Sequence, residues 1–134
     1  MNIENIKNPK VVNFSEADEY QGMPEIVEVS YDLWTLRITL RFEEVDHPVY
    51  VEFDDIKGFR VLDEGDLNEF WAPEVRVEGW LWSIMSGGWY DLECIRPGFV
   101  TGVTGGYEEY LMLGINDCVS VISYEKPTIR APKP

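Results

Sequence analysis

Histidine and cysteine are scarce: this 134-residue chain has a single histidine, His47, and two cysteines, Cys94 and Cys118. A Ser-His-Asp or Cys-His mechanism has to pass through His47, which stands in an acidic loop directly before Pro48. No G-x-S-x-G elbow accompanies it. One His and two Cys also fall short of the ligand set of a structural zinc site, so no metal is expected. In a reducing compartment two such cysteines read as small, buried, inert thiols rather than a bridge. Long apolar runs are missing too: none approaches the roughly 18–20 residues that cross a bilayer. The first ten residues, MNIENIKNPK, lack the apolar region of a signal peptide, so the expected compartment is the cytoplasm. Bases are scarce as well. Eleven Lys and Arg face twenty-five Asp and Glu, a net charge of −14. Such a surface repels phosphates and anionic lipid, which disfavours nucleic acid and membrane as direct partners, and it attracts a basic protein.

What the chain does have is globular composition. It is 45% hydrophobic with five Trp, seven Tyr and six Phe, enough to bury a core in one domain without staples. Residues 1–24 are weakly patterned and read as an N-terminal arm over the sheet, with a first strand near Lys10–Phe14 and a helical turn at Ser15–Asp18. Residues 25–125 read as a single β-rich domain, and 126–134 (three bases, three prolines) as an extended, mobile tail.

The period becomes two from Glu25. Ile26, Val27 and Val29 lead to a turn near Asp32. WTLRITLRF follows, with Trp34, Leu36, Ile38, Leu40 and Phe42 sharing one face. Val49–Phe53 is expected as its antiparallel partner, with Val49, Val51 and Phe53 inward. A turn at Asp55–Gly58 and a run Phe59–Leu62 lead into the acidic turn Asp63-Glu64-Gly65-Asp66. A short helix then starts, capped by Asp66 with Glu69 reaching back. Val75–Met85 reads as one long strand, or as two separated by a bulge at Gly79. Ser86–Gly88 reads as a hairpin turn, with Trp89–Ile95 as the returning strand. Tyr107–Leu113 and Cys118–Tyr124 form a last hairpin closed by Gly114–Asp117. The predicted fold is mainly β (a β-rich α+β chain): an antiparallel sandwich or strongly curved sheet with one short helix.

Other chemistry is thin. The turn at Asp63–Asp66 does not match an EF-hand loop. The Gly-rich stretch Gly98–Gly106 lacks the Lys-Ser/Thr ending of a phosphate loop. Among twenty-five acids, close carboxylate pairs are guaranteed and carry no signal without geometry. No catalytic residue and no cofactor is therefore called for.

Charge distribution is more informative. Residues 25–71 hold thirteen acids and four bases, a net of −9, whereas residues 111–134 carry +1. The candidate partner-binding carboxylates are Glu52, Asp54, Asp55, Asp63, Glu64, Asp66 and Glu69. The candidate aromatic anchors beside them are Trp80, Trp82, Trp89 and Tyr90, with Trp80 and Trp82 expected on one strand face; Trp and Tyr are enriched where interfaces concentrate their binding energy. The stretch FRVLDEGDLNEFW (Phe59–Trp71), with the chain's size and acidity, resembles small bacterial immunity proteins of the contact-dependent-inhibition kind. That resemblance implies a non-catalytic toxin inhibitor whose partner is a cognate toxin nuclease. Two rivals stay open: an enzyme or ligand binder with a pocket lined by Trp80, Trp82 and Trp89, and a structural subunit of a homo-oligomer such as a homodimer.

Overall fold

The computed structural model describes residues 8–134. Residues 1–7 of the expected arm lie outside that range. Among the described residues nine strands form two antiparallel sheets packed as a sandwich that does not close into a barrel. One sheet has five strands in the order β1 (Lys10–Asn13), β6 (Leu81–Ser86), β7 (Glu108–Leu113), β8 (Asp117–Ser123), β5 (Ile56–Asp63). The other has four, in the order β2 (Glu25–Tyr31), β3 (Leu36–Arg41), β4 (Val49–Phe53), β9 (Thr128–Arg130).

The two sheets are buried differently, and the sequence patterns follow from that. In β3 and β4 burial alternates: Leu36, Ile38, Leu40, Val49, Val51 and Phe53 are inaccessible, while the residues between them are at least partly wet. They pack against Leu81, Tyr110, Met112, Val119 and Val121 of the five-stranded sheet. That sheet is covered on its other face as well. Trp82, Ile84, Leu111, Leu113 and Cys118 form a second core beneath Leu67 and Phe70. Strands β7 and β8, covered on both sides, accordingly carry nearly unbroken apolar runs.

The second cover is where the sequence patterns misled. Val75–Met85 is neither one strand nor two: Gly79 takes φ +95° and the segment's single strand, β6, begins only at Leu81. Ser86–Gly88 makes no hairpin, and Trp89–Ile95 is no strand. Residues Trp89–Cys94 form a short helix, α1, followed by one turn, α2, at Thr101–Thr104. The acidic stretch after β5 makes two successive 3-10 turns, Glu64–Asp66 and Asn68–Phe70, in place of one helix. Asp63 caps the first, its carboxylate accepting the Gly65 N–H at 2.8 Å; the second follows Leu67 and has no side-chain cap, so Asp66 caps neither.

The first and last strands of the described residues both lie at sheet edges. β1 pairs with β6 as the edge of the five-stranded sheet rather than lying over it. Residues 128–130, expected in a free tail, pair with β4, and Arg130 bridges Glu52 at 2.8 Å. Trp34 was expected on the buried face of WTLRITLRF and is 82% exposed, because β3 starts two residues later.

Candidate functional site

Strand β5 divides the acidic segment in two. Asp54 and Asp55 form the corner where the chain passes from β4 into β5; Asp63 stands at the far end of β5, followed by Glu64, Asp66 and Glu69. Eight residues of strand separate the groups by roughly 25 Å. The seven carboxylates therefore do not make one patch. Glu52 belongs to neither end. It lies on β4, paired to Arg130 through both carboxylate oxygens (2.8 and 3.1 Å), which holds its carboxyl below the usual range. The remaining six are exposed, and none has an ion-pair partner among the described residues.

The far end is rigidly mounted. Phe70 is fully buried in the second core. Half-buried Trp71 donates its indole N–H to the Glu64 carbonyl at 2.8 Å and sets its ring edge-on to Trp82, 6.0 Å between centroids. The Arg76 guanidinium lies over both indoles. The Glu64 amide bonds the Asn116 carbonyl at 3.2 Å, tying the turn to the β7–β8 hairpin and to exposed Asp117. A cleft of about 280 Å³ opens there, lined in part by Glu64, Asn68, Trp71 and Arg76.

The aromatic group sorts into core and edge. Trp80 and Trp82 are 2% and 0% exposed, so neither is available as a surface anchor. They do not share a face either: Trp80, just before β6, packs between the sheets against Phe42, whereas Trp82 belongs to the outer core. Trp89 and Tyr90 are half-buried at the start of α1. The pocket lined by Trp80, Trp82 and Trp89 does not form. Trp80 borders a cleft of about 760 Å³ together with Asn13, Asp18, Arg76 and Glu78, and neither Trp82 nor Trp89 reaches it. His47 is half-buried, its Nδ1 2.9 Å from the Pro48 carbonyl. Among the described residues no group of three or more His, Cys, Asp or Glu is placed to hold a metal ion.

Sequence reasoning missed a buried carboxylate. Glu109 on β7 is 2% exposed and accepts the N–H groups of Trp89 (3.1 Å) and Tyr90 (2.8 Å), the open donors of the first turn of α1. Burial raises its pKa to about 7, against the downward pull of those two N–H groups and of Arg60. Arg60 is itself half-buried, its guanidinium over the Trp89 ring at 5.0 Å. A Cβ on Gly88 would sit 2.7 Å from Glu109 Oε1, so only glycine admits this approach. The signal in the sequence was the second Glu of the pair Glu108-Glu109, which runs on into the apolar stretch of β7.

The thiols differ from each other. Cys118 is buried on β8 as expected, but Cys94 is exposed at the end of α1, and both are free. In native protein a maleimide should therefore label one thiol, and both after denaturation. Local desolvation and the charge of Asp91 raise the Cys94 pKa, so the native reaction should be slow at neutral pH. Two fast native equivalents, counted by mass spectrometry, would contradict this placement of Cys118.

No helix among the described residues is long and apolar enough to cross a membrane. No protein-family model matches the chain, and neither does any curated protein or solved structure.

Proposed function

We propose that this chain is a protein-binding domain that neutralises a cationic protein, and that the partner is a toxin nuclease, as the immunity-protein resemblance of Phe59–Trp71 implies. The observation that carries the reading is the state of the acidic segment: six of its seven carboxylates face solvent without an ion-pair partner among the described residues. A nuclease cleft built to hold phosphates presents the complementary charge. Unpaired carboxylates on a pinned frame attract such a cleft over about 8–10 Å at physiological salt. Because Phe70 and Trp71 already fix the far-end turn, docking there costs little ordering entropy.

The test is the triple variant Asp63→Asn, Glu64→Gln, Asp66→Asn. Asparagine at 63 still caps the turn, so the fold is kept. Binding to the product of the neighbouring reading frame, followed across a salt series, should show an on-rate lowered by about tenfold at low salt and a shallower salt slope. Equal rates and slopes for the variant and the parent would remove this turn from the binding surface.

A further inference from the structure

At the opposite end of the sandwich two adjacent apolar side chains stand in water on the loop between β2 and β3, Leu33 at 78% exposed and Trp34 at 82%, beside the partly exposed Tyr31 (39%) that ends β2. Isolated exposed apolar residues are ordinary, but these are adjacent and are held there by the backbone. Leu33 is the one non-glycine residue with positive φ among the described residues, at +77°. That conformation favours glycine by about 1–2 kcal/mol over a side chain such as leucine. A loop selected for stability alone would carry glycine at this position; this one carries leucine and turns it outward.

The loop is also braced. Asp32 accepts the N–H groups of Trp34 (2.9 Å) and Thr35 (2.7 Å), and these bonds hold its carboxyl below the usual range. Thr35 donates its hydroxyl to Asp54 at 2.8 Å, fastening the loop to the β4–β5 corner. The Tyr31 ring meets Phe59 edge-on at 5.6 Å. Around the apolar tip stand Asp32, Asp54 and Asp55, all exposed and without ion-pair partners among the described residues.

We infer that the Leu33–Trp34 tip is the apolar anchor of a protein-binding surface, and that its occupant is a protein presenting an apolar pocket rimmed by Lys and Arg. This deepens the reading above and rests on it: the acids supply steering, while a buried indole supplies the concentrated affinity that charge does not. Charge decides the occupant. A second copy would bring Asp32, Asp54 and Asp55 against themselves on a chain of net charge −14, and anionic lipid would be repelled likewise.

The test uses the full chain, labelled with nitrogen-15, and two synthetic peptides of equal charge. One carries a central Leu-Phe pair flanked by three lysines on each side; the other has serines in place of the pair. At low salt the apolar peptide should move the Trp34 indole and Leu33 amide signals, and bind more tightly than the serine peptide. Trp34→Ala should weaken the apolar peptide by about tenfold with an unchanged thermal midpoint, since the residue is exposed. Leu33→Gly should raise the thermal midpoint while weakening the same peptide. Equal binding of both peptides, confined to Asp63–Glu69 and unaltered by Trp34→Ala, would overturn the anchor and leave the cationic-partner reading standing. Binding of neither peptide would overturn both. Trp34-dependent dimerisation, or insertion of Trp34 into zwitterionic vesicles, would overturn the assigned occupant.

Discussion

Phe70→Ala is expected to lower the unfolding free energy by about 3–5 kcal/mol. The side chain is fully inaccessible and sits with Leu67 over Trp82, Leu111 and Leu113 on the outer face of the five-stranded sheet. Nothing larger than a 3-10 turn carries it, so little local structure can close over the cavity. The loss is a large fraction of the roughly 5–15 kcal/mol that holds a domain of this size together. It also falls on the segment that mounts Asp63, Glu64 and Asp66, so hydrogen exchange in that turn should rise well above its value in the parent. Trp71→Ala should cost less, since that residue is only half-buried. Denaturant midpoints measure both. A Phe70→Ala midpoint within error of the parent would show that the outer core does not hold the turn.

The second large effect belongs to Glu109. Its carboxyl titrates at about 7 in the folded chain, against an ordinary value of 4.5, because burial disfavours the charge more than Arg60 and two backbone N–H groups favour it. A carboxyl raised in this way binds its proton more tightly when folded. The stability it contributes is fully present below pH 4.5 and is lost as the pH rises towards 7. The change amounts to about 3 kcal/mol across that window. Glu109→Gln removes the titration while keeping an acceptor for the α1 amides. The difference in unfolding free energy between parent and variant should therefore shift in favour of the variant by that amount from pH 4.5 to 8 and stay flat above. Parallel pH profiles would show that Glu109 remains ionised throughout, and would place Arg60 in direct partnership with it.

Strands whose one face meets water announced themselves. β3 and β4 alternate in sequence because only one of their faces is covered, and their pairing and inward residues follow from that pattern. The final hairpin was legible for a related reason: its apolar runs flank Gly114–Asp117, a clear turn. The segments that failed all lie against tertiary partners invisible from their own composition. Trp89–Cys94 carries aromatic residues that suit a strand, yet it winds as a helix because Glu109, twenty residues on, satisfies its first amides. Trp34 has the same parity as Leu36 in the sequence yet lies outside the core. Parity holds only within a strand, and the carboxylate of Asp32 bends the chain before the strand begins.

The candidate site was legible as charge and not as place. The excess of acid in residues 25–71 is plain in the sequence, but the length of β5 separates its two groups, and no composition reveals which carboxylate Arg130 neutralises. Trp80 and Trp82 looked like candidate anchors because Trp is common at interfaces. Each proved to sit at the centre of a different core, and the exposed indole is Trp34.

The most direct test of the central claim is inhibition. The product of the neighbouring reading frame is assayed for DNA and RNA cleavage with rising amounts of the intact protein, from low to high salt. The account predicts that cleavage falls to zero at one equivalent in low salt, and that inhibition weakens as salt screens the carboxylates. Undiminished cleavage at several equivalents in low salt would contradict it.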